Sequence, residues 1–319
     1  MMFDLFSVWR NMWDVAAKAG AKMPEAQKEP GEVVTYFSPV SKIKINDSLE
    51  IAYIDDGDKH ADILLFVHGL GTGVPVWEKS IPELKQNFRC IALDLPGHGF
   101  SSKADHPYTM RFYADVLFEF IQKLKLGSLT LVGHSMGGLI AILAGLRNPQ
   151  LVERLVLISP AGVEPYNALE KQTLINTMAT VVATGHAFSE NKLNYLLGFC
   201  EDQQQAGELA SKMAFFKDDA VGFGRMKLKS VEGIMLESVN HALDKIRQPT
   251  LILAGKEDKV SPFEFFRGTK YSDILTVEAT KIPHCKLVQV PDCGHFLQFE
   301  RPEVFNRELL EFMPVKQEV

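Results

Sequence analysis

Short, largely apolar runs recur along this chain at residues 62–67, 88–93, 128–132, 152–158, 250–254 and 286–290. The clearest, Ile63-Leu64-Leu65-Phe66-Val67, is apolar at every position rather than at every second one. Successive side chains of a strand point to opposite faces, so such a strand must be covered on both sides, as in a mostly parallel sheet flanked by helices. Several of the runs are separated by stretches able to form helices. The pattern predicts an α/β fold.

Ahead of these runs, Thr35 to Ile45 and Ser48 to Tyr53 are strand-like segments around Asn46-Asp47, and together they predict a hairpin. Between Pro160 and Pro249 the alternation stops, and Leu, Met, Phe and Lys recur at helical intervals instead. We therefore expect a core formed by residues 31–160 and 248–319, with residues 161–247 inserted as a helical cap. Met178, Phe188, Tyr195, Phe199, Phe215, Phe216 and Phe223 read individually as packing residues of the cap. Collectively, some of them should roof an apolar pocket.

The first 30 residues stand apart. Leu5, Phe6, Trp9, Met12, Trp13 and Ala16 share one face of a helix, and residues 22–31, with Pro24, Pro30 and Gly31, read as a linker. An early Asp4, with Arg10 and Asp14 interrupting the segment, argues against a secretory signal. The expected location is the cytoplasm, or the surface of a membrane if that apolar face meets lipid. For residues 1–20 the first reading is docking onto the cap or a second subunit, and lipid contact is the rival. The formal charges Asp4 and Asp14 against Arg10 and Lys18 cancel, so any lipid contact should be weak.

Composition removes other classes. With 34 basic and 40 acidic residues the net charge is −6, which disfavours a nucleic-acid role, and no apolar run reaches the length of a membrane span. Four cysteines are too few for a disulfide scaffold. Cys285 and Cys293 flank an expected strand that would hold their Cα atoms about 26 Å apart, so reduced thiols are expected. No Cys-x-x-Cys or His-x-x-x-His pair occurs, and neither a metal nor a cofactor is expected.

The chemistry starts at Gly133-His134-Ser135-Met136-Gly137-Gly138, between the strand Leu129-Thr130-Leu131-Val132 and a helix from Leu139 to Arg147. A serine in so tight a strand-to-helix turn projects its hydroxyl beyond the sheet edge, and glycines two residues before and after let the backbones approach. Here the chain resembles the α/β-hydrolase family, over about residues 33–313. The resemblance implies the order serine, acid, histidine. Asp258, ending Gly255-Lys256-Glu257-Asp258, matches the acid position, with Glu257 as its rival, and His295 in Gly294-His295-Phe296 matches the base. Leu65-Phe66-Val67-His68-Gly69-Leu70-Gly71 is similar to the family's oxyanion loop, which implies the backbone N–H groups of Leu70 and Met136 as donors. His68 then orients the loop. Asp94-Leu95-Pro96-Gly97-His98-Gly99-Phe100-Ser101 is similar to a further turn of the family and reads as scaffold.

A serine hydroxyl is a poor nucleophile until a positioned base takes its proton. A serine rather than an aspartate at position 135 points to acyl transfer, and the elbow is similar to those of monoacylglycerol lipases and bacterial carboxylesterases. The expected substrate is a small-molecule ester with an apolar acyl group. The same elbow also implies a second enzyme, a carbon–carbon bond hydrolase of ring-cleavage dienoates. That enzyme would need a cation for the substrate carboxylate, and Arg147, Arg154 and Arg225 offer no convincing one. A ligand-binding protein that kept the fold and lost turnover is the non-enzymatic alternative.

Overall fold

The computed structural model describes residues 35–183, 199–213, 220–261 and 263–314. The amphipathic segment 1–20 and its linker lie outside the described residues, as do Phe188, Tyr195, Phe215 and Phe216. Among the described residues no helix is long and apolar enough to cross a membrane.

Eight strands form one sheet: β1 (Ser41–Asn46), β2 (Leu49–Asp56), β3 (Ile63–Val67), β4 (Arg89–Leu93), β5 (Leu129–His134), β6 (Val152–Ile158), β7 (Thr250–Gly255) and β8 (Cys285–Val290), in the order β1-β2-β4-β3-β5-β6-β7-β8. β1 and β2 form the antiparallel hairpin around Asn46-Asp47, and β2 runs antiparallel to β4. From β4 to β8 every neighbouring pair is parallel. The hairpin's first strand is shorter than its β-type residues suggest. Pro39, which has no N–H to give a ladder, precedes it, and the flanking side chains bond elsewhere: Tyr36 Oη to Asp94 and Ser38 Oγ to Asp56.

The principal helices are α1 (Met110–Lys123), α2 (Met136–Arg147), α3 (Ala168–Ala183), α4 (Gln203–Lys212), α5 (Ala220–Leu236), α6 (Tyr271–Glu278) and α7 (Pro302–Phe312). Thr109 caps α1 by accepting the Phe112 N–H, and Met110, Tyr113, Ala114, Leu117, Phe120 and Ile121 give it one buried face.

The apolar runs divide between two cores. Leu65, Val67, Ile91, Leu93, Leu131, Leu155, Leu157 and Ile252 pack with α1 and α2 on one face of the sheet. Leu64, Phe66, Ala92, Val132, Val156, Ile158, Leu251 and Leu253 pack with Trp77, Phe299, Phe305 and Leu309 on the other. Both faces are thus covered, which is why the strands are apolar at consecutive positions.

Helices α3, α4 and α5 all lie between β6 and β7, yet those two strands pair directly, Leu155 with Thr250 and Ile158 with Leu253. The segment is tied down at several points. Asp202 caps α4 by accepting from the N–H groups of Gln204 and Gln205. Lys79 pairs with Glu208 at 2.9 Å, Lys212 pairs with Glu78, and Arg267 binds Glu170 through two 2.8 Å bonds. The four cysteines are free thiols.

Candidate active site

The parallel strands end along one edge, where Val67 is level with Gly133, His134 with Ile158, and Gly255 with Val290. The segments that leave this edge carry Leu70, Ser135, Asp258 and His295. Loops outside the carboxyl ends of parallel strands are where such sheets place ligands.

Ser135 sits at φ 55°, ψ −118°, between the last residue of β5 and the first of α2. That backbone region is costly for any residue with a Cβ, so the surroundings must impose it. They do so with hydrogen bonds on both sides: Ser135 N–H donates to Ile158 O at 2.9 Å, while Ser135 O accepts from Gly138 N–H at 2.9 Å and Ala161 N–H at 3.1 Å. Close packing completes the constraint. A Cβ at Gly137 would lie 2.1 Å from the Val67 carbonyl oxygen, and one at Gly133 would lie 2.5 Å from that of Gly137. Ser135 is partly exposed while its neighbours in the turn are buried.

Asp258 and His295 meet: Nδ1 of His295 is 2.8 Å from Oδ2 of Asp258, and both residues are buried. A carboxylate accepts, so Nδ1 carries the proton and Nε2 is the ring nitrogen left to accept one. Burial pushes the Asp258 carboxyl up, but the charge and hydrogen bond of His295, with the Val260 N–H, outweigh it and leave its pKa below the ordinary carboxylate value. Glu257 does something different. Its Oε2 takes the Cys293 N–H, and its own N–H bonds to Cys293 O, so it fastens the loop that carries His295.

Three further residues fix that loop. Glu300, buried on the short turn Leu297–Glu300, accepts the N–H groups of Gly294 and Phe296 on either side of His295, together with that of Glu201. Burial pushes its carboxyl up, against the pull of these three donors. His295 N–H donates to Phe199 O at 2.7 Å, so residues 199–201 are bound to the same loop. His134, beside Ser135, donates from Nε2 to the His295 carbonyl at 3.0 Å, and the two imidazole rings lie 4.7 Å apart. Burial draws the His134 pKa well below the ordinary histidine value.

Gly69 brings the loop after β3 against the elbow, since a Cβ there would be 3.1 Å from that of Ser135. Leu70 and Met136 are the residues that follow this contact on the two segments. His68 and His98 brace the loop. His68 Nε2 accepts Leu95 N–H and its Nδ1 donates to Gly69 O, while His98 Nε2 accepts Gly71 N–H and its Nδ1 donates to Pro96 O. Burial lowers both pKa values, in keeping with neutral rings that each donate once and accept once. Asp94 accepts from Val74 N–H, Phe100 N–H and Tyr36 Oη, joining the two turns and the segment before β1.

Residue-by-residue reading does not reveal Glu300 as a holder of the His295 loop. The available signal is a charge inside Phe296-Leu297-Gln298-Phe299-Glu300, a segment otherwise suited to burial. Glu164 is likewise missed. It is buried after β6 with its Oε2 on the Gly162 N–H, and burial raises its pKa, with a further push from the Asp258 charge.

The model of the alpha/beta hydrolase fold family matches residues 62–302. The chain is 26% identical to the 2-hydroxy-6-oxo-6-(2'-aminophenyl)hexa-2,4-dienoic acid hydrolase of Metapseudomonas resinovorans, over 83% of this chain and 88% of that one. A probable hydrolytic enzyme from Pseudomonas aeruginosa PAO1 superposes with a TM-score of 0.68 at 26% identity, covering 89% of this chain and 97% of its own. A membrane phospholipase A does so with a TM-score of 0.66 at 25% identity, covering 97% and 89%. Sheet order, elbow and family match agree: the chain belongs to the alpha/beta hydrolase fold family.

Proposed function

We propose that the protein is a serine hydrolase that cleaves carboxylic esters through an acyl-enzyme. The observation that carries this reading is the 2.8 Å hydrogen bond between Asp258 and His295 on the sheet edge that also holds Ser135 at φ 55°. With Nδ1 engaged by the carboxylate, Nε2 of His295 takes the Ser135 proton as Oγ attacks the ester carbonyl carbon. The carbonyl oxygen gains charge and is met by the N–H groups of Leu70 and Met136, the latter at the positive end of α2. The bond to the alcohol oxygen then breaks, and His295 returns its proton to that oxygen. Water, deprotonated by His295, attacks the acyl-enzyme and releases the acid and the free serine.

Helices α3, α4 and α5 act in this reading as the cap, with an apolar acyl group beneath them. The phospholipase A likeness supports ester chemistry. A second reading, cleavage of a carbon–carbon bond in a ring-cleavage dienoate, is favoured by the relative named for a dienoic acid. One experiment separates the two: a chain-length series of nitrophenyl esters and a dienoate, each turned over by wild type and by Ser135→Ala. Ester turnover lost in Ser135→Ala supports the first reading. Turnover of the dienoate alone overturns it in favour of the second.

A further inference from the structure

Glu300 is buried, and its carboxylate accepts main-chain N–H groups from two separate parts of the molecule. Oε1 takes the Phe296 N–H and Oε2 the Gly294 N–H, each at 3.1 Å, so both neighbours of His295 are held. The same Oε2 takes, at 2.9 Å, the N–H of Glu201, 99 positions earlier and directly before Asp202, which caps α4. Between those neighbours, His295 N–H goes to Phe199 O at 2.7 Å, and the rings of Phe199 and His295 lie 6.2 Å apart. The fit at Gly294 is close: a Cβ there would be 2.3 Å from Phe199 O and 3.2 Å from Cys200 Cα. Gly294 does not lie in the left-handed region, so the approach of residues 199 and 200 is what requires glycine. The start of α4 also reaches the loop of the acid, through Glu201 and Lys259 at 2.8 Å, and Gln205 donates to Glu300 O at 3.3 Å.

Three N–H donors call for an ionised carboxylate, which only accepts, and a buried charge is tolerable only while its hydrogen bonds are made. Taking the Glu201 N–H away therefore weakens the hold on Gly294 and Phe296, and taking the loop away weakens the hold on residue 201. We propose that Glu300 is a positioning residue that makes the seating of residues 199–201 a condition for the alignment of His295. The proposal rests on the ester-hydrolase reading and assigns how that same site is controlled. The bond from Asp258 sets the tautomer of the imidazole, and Glu300 sets the main chain from which the ring hangs. A substitution or a bulky substrate that lifts the start of α4 then lowers the rate of the chemistry and not only the affinity.

Two substitutions and one measurement test it, with rates read on a nitrophenyl ester. Glu300→Gln keeps the size of the side chain and turns one acceptor into a donor that must face an N–H. It should lower kcat about tenfold or more with KM changed less than about threefold. Gly294→Ala leaves the carboxylate in place and presses on Phe199 O and Cys200, and it should do the same. Because both act on one clasp, the double variant should lose no more than about threefold beyond the worse single one. A smaller loss of kcat in a cooperatively melting Glu300→Gln, a loss carried by KM alone, or losses that multiply in the double variant overturn the proposal. If neither variant folds, amide hydrogen exchange of the wild type supplies the reading. The amides of Glu201, Gly294, His295 and Phe296 should be protected alike to within about threefold, since they open together. A Glu201 amide that exchanges faster than this while the loop stays protected means that the segment moves without the histidine, and overturns the proposal. Ser135→Ala on the same ester keeps the two claims apart: turnover surviving there removes the ester-hydrolase reading, while the exchange result stands by itself.

Discussion

The Nε2–H of His134 donates to the carbonyl oxygen of His295, 161 positions away in the chain, so the residue beside the elbow serine holds the main chain of the histidine loop. Among the described residues the buried Nδ1 atom of the same ring has no hydrogen-bond partner, so this single bond is what its polarity contributes. Replacing the ring by an apolar one of similar size keeps the packing and removes the tether. His134→Phe should reduce kcat about tenfold with little change in KM, since a neutral hydrogen bond is worth about 1 kcal/mol and the loss acts on orientation. A KM effect without a kcat effect would show that His134 contacts substrate instead.

Ser135 is held at φ 55°, where a Cβ costs roughly 1–3 kcal/mol. Ser135→Ala and Ser135→Gly should both lower ester turnover by about 10³-fold or more, because the groups that act with the serine act as a unit. They should differ in stability. Ser135→Gly should melt higher than Ser135→Ala, by about 1 kcal/mol in chemical denaturation, since glycine alone enters that region at little cost. Equal stability of the two variants would mean that the elbow is not strained in solution.

Asp258 faces the imidazole of His295 while Glu257 holds the main chain at Cys293. Asp258→Asn should therefore cost about 10³-fold or more in kcat, through the wrong ring tautomer, and Glu257→Gln should cost about tenfold or less. Steady-state rates on one ester decide between them. Should Glu257→Gln be the crippled variant, the acid in use is not the one hydrogen-bonded here.

The raised pKa of Glu164 makes a statement about stability and pH. The folded protein keeps this proton at pH values where the unfolded chain has released it. Stability from the group is therefore fully present below the unfolded value, about 4.3, and is lost as pH rises through the folded value. Glu164→Gln cannot ionise, so its melting temperature should fall less than that of wild type on going from about pH 5 to about pH 8. Thermal melts of both proteins at the two pH values give the comparison. Parallel changes would place the Glu164 carboxyl in contact with water.

What the chain order reveals and what it hides have separate physical causes. The strands β3 to β8 are legible to within two residues, most cleanly where burial on both faces leaves no polar position, as at Leu64 to Val67, whereas β6 and β8 carry Glu153, Arg154, Lys286 and Gln289 where they are less covered. The elbow is legible because Gly133 and Gly137 are forced by backbone atoms that a Cβ would strike. Motifs at strand ends single out Asp258 and His295, since a loop there needs recognisable turn residues. Pairing across the sheet is not legible: nothing in the β4 run says that it lies between β2 and β3. Nor are the bonds from Glu300 to Gly294, Phe296 and Glu201, because a carboxylate buried among main-chain N–H groups looks in the sequence like any other acid. The short start of β1 follows from Pro39 together with the partners that Tyr36 and Ser38 find, and only the first of these is a local signal.

The direct pairing of β6 with β7 has a consequence for how this molecule could change. The chain leaves the sheet at Ile158, the carboxyl end of β6, and re-enters at Thr250, the opposite end of the neighbouring parallel strand β7. The ladder Leu155-Ile158 against Thr250-Leu253 closes whatever is strung between its ends. The intervening stretch can therefore be lengthened, shortened or exchanged as a cassette by gene fusion without altering any strand's place. Among the described residues, the attachments a chimera would have to rebuild include the ion pairs of Lys79 and Lys212, those of Arg267 with Glu170 and of Lys229 with Asp105, and the clasp between residues 199–201 and the His295 loop. The inserted helices are thus separable by inheritance from the sheet that carries Ser135, Asp258 and His295.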